Sequence, residues 1–599
     1  MLQQAQEKYE ESQLYKIRHS AAHIMAQAVL EMFPEGKIAI GPPIEHGFYY
    51  DFDLPRNLTP EDLEQIEKRM RQIIQGKHQF KKKVISAEEA REIFKDQPYK
   101  LELIDGLEEG GLDEYGNPLK EKPEISIYQH DAFVDLCRGP HVEHTRQIKP
   151  DAIKLMSVAG AYWRGDENNK MLQRIYGTAW ENAQQLKDYL WQLEEAKKRD
   201  HRKLGRELGL FIFDDEVGPG LPLWLPKGAI VRQILESFIY NEQVRRGYQH
   251  VYSPHIGKKQ LWITSGHWDL YQDKMYSPMD INGVEYLVKP MSCPMHMRMY
   301  KSQTHSYKEL PIRIAETATV YRREQSGELT GLLRVRGITQ DDAHIFARPD
   351  QVRREFLSVL DQVMFQFERL GFRDFEMWLS VRDPLKKDKY LGSDEVWTAA
   401  ESAIEEVLKD RGLHFIRAEG EAKFYGPALD IQIRDALERK WQCTTIQVDF
   451  MLPMRFELEY IDADGRPRRP VVLHRAPLGS IERFIAILVE HYAGAFPVWL
   501  APVQTVVIPI ADRHLDYARE VATQLCADDL RAEVDERPER MNAKIRDAQN
   551  QKIPYMLVVG DKEAESGTVA LRLRNGENPG PMPLVDFVAR ARKDIEEGN

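Results

Sequence analysis

Cysteine is scarce: only Cys137, Cys293, Cys443 and Cys526 occur in 599 residues, without disulfide-like spacing. That scarcity fits a reducing compartment, the cytosol. Long hydrophobic runs are also missing. Phe484 to Val489 is a representative apolar stretch, and Glu490 ends it far short of the ~20 residues of a membrane span. The first thirty residues mix Gln, Glu, Lys and His, so no secretory signal is visible. Positive charge is not in excess: the net charge is −12, and any nucleic-acid surface is therefore local rather than global. No internal repeat or low-complexity tract stands out. What remains is a soluble, intracellular chain too long for one core, with three or four domains expected.

Apolar spacing predicts a helix over 15–33 that carries His19 and His23 one turn apart. A strand-like patch follows from Ile38 to Phe52, then helices at 59–75 and 87–95 and a loop-rich region ending at Asp135-Leu136-Cys137-Arg138-Gly139-Pro140-His141. Between Glu181 and Leu208, leucines at helical intervals in a charged sequence predict one long linking helix. Its basic cluster (Lys197, Lys198, Arg199, Arg202, Lys203) fits a phosphate backbone or simply a solvated face. From Phe211 to about Leu500, helices at 228–246, 350–370 and 395–411 interleave with strand-like runs near 286, 313, 332, 376, 429 and 444. Past Pro497 and Pro502, strands and helices alternate, which predicts a small α/β domain with a largely parallel sheet.

The most informative stretch runs from Tyr321 to His344. Arg322 and Glu324 open it, Ser326-Gly327 turn it, and Arg334 and Arg336 follow around a strand-like run, Leu332 to Val335. The polar cluster Gln340, Asp341, Asp342 and His344 closes it. The pattern reads as two antiparallel strands whose arginines meet in one pocket. A guanidinium fork suits phosphate and carboxylate alike. Two arginines on a hairpin are common on any surface, so context has to decide.

Context comes from three segments in order. The helix ending in Tyr248-Gln249-His250-Val251-Tyr252-Ser253-Pro254 resembles motif 1 of the class II aminoacyl-tRNA synthetases. Arg322-x-Glu324 through Arg336 resembles motif 2, and Leu478-Gly479-Ser480-Ile481-Glu482-Arg483 resembles motif 3. Five further segments are similar to the threonyl-tRNA synthetase family: Thr264-Ser265-Gly266-His267-Trp268, Lys289-Pro290-Met291-Ser292-Cys293-Pro294, Thr339 to His344, Phe424-Tyr425-Gly426-Pro427, and His474-Arg475-Ala476. The resemblance covers essentially the whole chain. It implies an α+β multidomain protein with an N-terminal α+β editing domain (1–178), a linking helix (179–209), an antiparallel-sheet class II catalytic domain (210–500) and a C-terminal α/β anticodon-binding domain (501–599). The histidine helix begins almost at once, so the expected form lacks the small domain that precedes it in many bacterial members.

The resemblance implies a cytoplasmic homodimer that uses ATP with Mg²⁺ to join L-threonine to tRNA(Thr). Arg322, Arg483 and His267 are then catalytic, and Arg322, Glu324, Arg334 and Arg483 bind ATP. Cys293, His344 and His474 hold one Zn²⁺ per subunit, although their separations lie far outside any local zinc spacing. Gln340, Asp342, Tyr425 and Gln447 surround the amino acid. The chemical reason for a metal is selectivity. An apolar pocket cannot strongly reject valine, whereas a site that demands a hydroxyl rejects it by roughly 10⁴-fold or more. Serine lacks only a methyl group, worth about 1–3 kcal/mol, so a second, hydrolytic site is expected.

His19-x-x-x-His23 with Cys137-x-x-x-His141 supplies that site. As bare residues the four fit a zinc site. The resemblance implies instead a metal-free site that hydrolyses seryl-tRNA, with Tyr50, Lys100 and Asp135 beside it, and both readings stand at this point. Lys544, Arg546, Glu563 and Arg572 match the family's anticodon face, and solvated helix charges are the plainer account of the first two. Departures from the family pattern are Ala428 where lysine is usual, Met295 where glycine is common, and Pro538 where asparagine is frequent. A catalytically dead, RNA-binding paralogue would have lost the arginines or metal ligands, and all are present. A prolyl or seryl ligase would not need Cys293, His344 and His474 beside a histidine-rich editing domain.

Overall fold

The computed structural model describes residues 9–109, 124–386, 389–390 and 392–598. Part of the expected loop-rich region, residues 110–123, lies outside the described residues. The chain forms two compact units, one ending at Glu194 and the other beginning at Glu195.

At the centre of the first unit is the histidine helix, Gln13–Met32, started by Ser12, whose hydroxyl accepts the Tyr15 N–H. Every residue from Ile17 to Val29 is buried, which is why alanines (21, 22, 26, 28) dominate its middle: neighbours approach on all sides. Helix Pro60–Gln75 packs beside it, opened by a Thr59/Asp62 capping box with Pro60 in the first turn. An antiparallel sheet with strands in the order Lys37–Ile38, Gly47–Asp53, Met171–Ala179 and Ile153–Tyr162 forms the floor. A smaller sheet holds the hairpin Ser126–His130/Phe133–Leu136, whose turn uses Asp131 at φ 48°. That hairpin presents Asp135 and leads straight into Cys137.

The expected linking helix is instead two helices, Ala183–Arg199 and His201–Glu207. Asp200 makes the break, because its carboxylate accepts the Arg202 N–H and so caps a new helix. The catalytic sheet has eight strands in the order Gln249–His250, Ile312–Tyr321, Gly337–Ala347, Val471–Ala476, Lys440–Asp449, Ala428–Arg434, Phe375–Val381 and Ile416–Glu419. The central six are antiparallel, and a parallel strand lies at each edge. Helices Pro226–Arg245, Val352–Arg369 and Ile481–His491 contribute to its core. The apolar run Phe484 to Val489 is wholly buried in the last of these, and among the described residues no helix is long and apolar enough to cross a membrane. Leu332 to Val335 is not a strand. It lies in the connection between two strands, held by one Thr330–Arg334 bridge, and its apolar character reflects the burial of Leu332 and Val335, three residues apart as in a turn.

The C-terminal sheet is only half parallel, a correction to the expected topology. Ala532–Val534, Thr505–Pro509 and Tyr555–Val559 run parallel, and Thr568–Leu573 and Gly580–Pro583 then return antiparallel. The connection from Tyr555–Val559 to Thr568–Leu573, which holds only the short helix Asp561–Ser566, is too short for a crossover to a parallel strand, and that makes the switch.

Candidate active sites

In the catalytic sheet, strand period two places Gln340, Asp342 and His344 on one face. Asp341 takes the opposite face, where its carboxylate accepts the Leu478 N–H and supports the turn before Arg483. His344 is directly opposite His474 on the neighbouring strand, and His474 is opposite Gln447 on the next. Cys293 starts the helix Cys293–Lys301. One ligand atom from each of Cys293, His344 and His474 lies within 4.8 Å of the others. Residues hundreds of positions apart thus meet because two sheet registers bring them together.

The second nitrogen of each histidine is anchored. His474 Nε2 donates to Asp449 Oδ2 at 2.8 Å, while Oδ1 of that carboxylate accepts the Met451 and Leu452 N–H groups. His296 Nε2 donates to Glu316 Oε2 (3.1 Å), which leaves His296 Nδ1 to accept from His344 Nδ1–H at 2.8 Å. Burial is the main cause that puts His344 well below the ordinary imidazole value, so with Nδ1–H donated its Nε2 carries the lone pair, and on His474 the nitrogen not bonded to Asp449 is Nδ1. Outer partners of this kind orient metal-binding histidines. Burial opposes the Glu316 charge, but hydrogen bonds from His296 and Ser253, together with the Lys289 charge, hold its pKa at about 2. Burial, and then the nearby Asp342 and Asp449 carboxylates, push the Cys293 thiol well above its ordinary value. Burial also raises Asp342. A cation among these groups would reverse that penalty, so the donor set fits a metal.

Tyr425 faces the same pocket, its ring centroid 5.7 Å from that of His474. Gln447 Nε2 donates to the Gly426 carbonyl at 3.2 Å. Nearby, His267 donates Nδ1–H to Ser265 Oγ (2.8 Å), whose own hydroxyl donates to the Trp262 carbonyl. Burial, and then the His474 charge, lower the His267 pKa to about 4, so near neutrality Nε2 carries a free lone pair. Met295 fills an apolar cluster with Trp262, Met275 and Leu287, and Ala428 is buried at the start of its strand opposite Gln447.

The arginines form a second group. Burial is the main cause that lowers the Arg483 pKa, and the charges of Arg334 and Arg322 add to it. A buried guanidinium with two others near it makes a site suited to an anion. Arg322 Nε is buried with no hydrogen-bond partner. Arg483 Nε donates to the Leu333 carbonyl at 3.0 Å, its only side-chain hydrogen bond among the described residues. Glu324 is tied to Lys274 (2.9 Å) and lies 3.9 Å from Arg334. Arg336 does not join the group: its guanidinium donates to the Glu324 and Pro219 carbonyls and braces the loop.

In the first unit all seven singled-out residues meet. Cys137 Sγ lies 3.3 Å from His19 Nε2 and 3.3 Å from His141 Nε2. His19 Nδ1 donates to the Pro140 carbonyl, and His141 Nδ1 pairs with Ser20 Oγ. Asp135 takes Tyr50 Oη (2.6 Å), Lys100 Nζ (2.6 Å) and, at 3.4 Å, His23 Nε2. Gly139 sits at φ +83°, where a Cβ would fall 2.4 Å from the Tyr128 hydroxyl, so the Cys137–His141 loop needs glycine there. Burial lowers His19 to about 4 and puts His23 and His141 well below their ordinary value. The imidazoles are thus held neutral, and His19, His23, Lys100, Asp135 and Cys137 line a cavity of about 310 Å³. His19, His23, Cys137 and His141 could also gather round a metal ion.

The C-terminal candidates are less concentrated. Lys544 is buried, with its ammonium on the Asp535 carbonyl at 2.8 Å, whereas Arg546 on the same helix is exposed. The Glu563 carboxylate accepts the Gly560 N–H and so caps its own helix. Arg572 is half-buried on Thr568–Leu573. Sequence reasoning missed His296, Glu316 and Asp449. Two signals were available: Cys293-x-x-His296 places both on one helix face, and Asp449 shares the face of Gln447 by strand period.

Three family models match parts of the chain. "tRNA synthetase class II core domain (G, H, P, S and T)" matches 276–492, an anticodon binding domain matches 504–594, and "Threonyl and Alanyl tRNA synthetase second additional domain" matches 125–176. The threonine–tRNA ligase of Gloeobacter violaceus is 54% identical over 586 residues, 96% of this chain and 91% of its own length. That of Thermus thermophilus is 52% identical over 97% of this chain and 88% of its own. Among solved structures, the RNA binding domain of threonyl-tRNA synthetase from Cryptosporidium parvum Iowa II is 40% identical with a TM-score of 0.63, covering 66% of this chain and 98% of that one.

Proposed function

The chain belongs to the threonine–tRNA ligase family, joining L-threonine to tRNA(Thr) with ATP and carrying the family's editing-associated domain, and we propose that Cys293, His344 and His474 select the amino acid while Arg322, Arg334 and Arg483 activate it. The observation that carries this reading is the convergence of two histidines, each anchored through one nitrogen, and a thiol within 4.8 Å of one another, in the same catalytic core as an arginine cluster. The three ligands would hold one Zn²⁺, which when bound offers an open position to the amino and hydroxyl groups of threonine. Asp342, Gln340, Tyr425 and Gln447 close the pocket around the substrate.

In activation, the threonine carboxylate attacks the α-phosphorus of ATP and pyrophosphate leaves. Arg322 neutralises the α-phosphate and the substrate carboxylate, and Arg483 and Arg334 hold the bent triphosphate, with Glu324 fixing Arg334. In transfer, a ribose hydroxyl of the tRNA attacks the adenylate carbonyl, the acyl–phosphate bond breaks and AMP leaves; the hydroxyl must lose its proton, and His267 Nε2 is a neutral acceptor beside the pocket. Departures at Ala428 and Met295 leave these groups intact.

Within the first compact unit, we assign His19, His23, Cys137 and His141, with Tyr50, Lys100 and Asp135, to hydrolysis of seryl-tRNA(Thr). Neutral imidazoles suit holding a water and ribose hydroxyls, and the Lys100–Asp135 pair fixes the cluster's edge. Arg546, Arg572, Glu563 and Lys544 belong to the anticodon side of the tRNA contact, Lys544 as a brace for the Asp535 carbonyl rather than a free cation. The segments 1–178, 179–209, 210–500 and 501–599 are our editing, linking, catalytic and anticodon-binding divisions.

One experiment tests the metal. Elemental analysis should find one zinc per chain, and ATP–pyrophosphate exchange should run with threonine, weakly with serine and hardly with valine. Chelation should stop it, and Cys293→Ser should lose both zinc and exchange. Active protein without zinc would sink the assignment. Dimerisation is the second expectation. Tyr240, Val244, Tyr252, Ile256, Met279 and Ile281 leave apolar surface exposed around the motif 1 segment. Sedimentation should give twice the chain mass, and a fully active monomer would contradict it.

A further inference from the structure

His201 and Glu490 take no part in the reaction as described, yet both are almost fully buried, at 1% and 4% exposure. Glu490 Oε1 accepts the His201 backbone N–H at 3.1 Å and its Nδ1–H at 2.6 Å, and Oε2 takes Arg439 at 2.5 Å. A carboxylate with a depressed pKa only accepts. Burial works against its ionisation, and the His201 hydrogen bonds and Arg439 prevail. The ring must therefore donate from Nδ1, which leaves Nε2 as an acceptor, and the Leu332 N–H fills it at 3.0 Å.

Leu332 belongs to the loop between Glu324 and Arg336. The carbonyl of the next residue, Leu333, is where Arg483 Nε is anchored, and Arg334 follows immediately. A second observation concerns Gly331. It sits at φ +50°, and a Cβ there would fall 2.1 Å from His201 Nε2. The loop backbone is thus bedded directly on the imidazole, at a position only glycine permits. Asp200, His201 and Glu490 also satisfy a crude donor-distance test for a metal. Their atoms are already committed, however: both imidazole nitrogens and both Glu490 oxygens have partners, and Asp200 is paired with Arg202.

We propose that His201 is a positioning residue for the ATP site. Held by Glu490 in one tautomer, it fixes the Leu332–Leu333 backbone on which Arg334 and Arg483 depend. The inference rests on the reading of Arg322, Arg334 and Arg483 as the phosphate-binding set. Losing the acceptor leaves a buried N–H unpaired and frees the loop, without touching the amino-acid pocket.

The test is steady-state ATP–pyrophosphate exchange on the full chain. His201→Ala should raise KM for ATP about ten-fold, from the ordinary cost of an unpaired buried amide, with KM for threonine within about two-fold. His201→Gln keeps an acceptor near the Nε2 position and should recover most of the loss, which a merely space-filling role would not predict. Gly331→Ala pushes the loop off an intact His201–Glu490 pair and should give the same ATP-selective defect. An unmoved KM for ATP in His201→Ala, a parallel rise for ATP and threonine, or a glutamine variant no better than alanine overturns the proposal. Should His201→Ala fail to fold, His201→Gln and Gly331→Ala decide it. An ATP-selective defect confined to Gly331→Ala supports it, and its absence overturns it. If the unsubstituted chain shows no threonine-dependent exchange, the reading of the arginines fails and this inference with it. Normal exchange with an unmoved ATP KM sinks this inference alone.

Discussion

Arg483→Ala and Arg322→Ala should each reduce threonine-dependent ATP–pyrophosphate exchange by about 10²–10³-fold or more, while leaving the fold intact. Charge that develops on the phosphates has to be met by groups already in place, and these two guanidiniums are held without one. Arg322 Nε is buried and unpartnered, and Arg483 spends only its Nε on the protein, at the Leu333 carbonyl. After burial, the nearby charges of Arg334 and Arg322 also disfavour the Arg483 cation, and a triphosphate would offset them. Removing one of them should therefore not unfold the chain, and the fold would if anything lose a like-charge contact. Arg336→Ala separates the two kinds of arginine. Its guanidinium braces the Glu324 and Pro219 carbonyls, so its loss should cost thermal stability of the loop as well as rate. Circular dichroism with exchange rates checks both parts. Near-normal exchange in Arg322→Ala and Arg483→Ala would show that the anion site lies elsewhere.

Much of this was legible in the sequence, and for identifiable reasons. The histidine helix could be read because its apolar and small residues recur at helical spacing, and the linker's basic stretch because its leucines do. Asp200 escaped notice because a lone aspartate in a charged helix gives no period to break, and only its bond to the Arg202 N–H makes it a cap. Leu332 to Val335 reads as a strand because a short apolar run looks the same whether a strand or a turn buries it, and here a turn buries Leu332 and Val335. The direction of the C-terminal strands is not legible because it is set by their connections, and the short link from Val559 to Thr568 leaves no hydrophobic pattern. The three metal-ligand candidates were beyond spacing arithmetic altogether. His344 and His474 are neighbours only through strand register, so a family resemblance could name them and local chemistry could not. The outer partners are a different matter. Glu316 reaches His344 only through His296, and no one-dimensional rule records such a relay.

The editing reading makes the other large claim. The double variant His19→Ala/His23→Ala should leave threonine activation untouched and let seryl-tRNA(Thr) accumulate, since a hydroxyl-selective pocket distinguishes serine by only about 1–3 kcal/mol. Independence is expected because the two clusters belong to different compact units and share no hydrogen-bond partner. The histidines answer to Asp135, Pro140 and Cys137, and the catalytic pocket to Asp449, Glu316 and the Leu333 loop. Alanine at these positions also removes two buried, neutral rings, so the folded population has to be measured beside the misacylation assay. Asp135→Asn gives a second handle, because it keeps the volume while weakening the grip on Lys100 and His23. It should raise seryl-tRNA in the same direction, with the histidines still present. Adding zinc or a chelator to the deacylation assay tells the two chemistries of the cluster apart: a metal-free hydrolytic site is indifferent to both, and a metal site is not. If serine accumulation stays at the level of the unsubstituted chain, or if threonine activation falls together with deacylation, the seven residues are structural and the hydrolytic assignment fails.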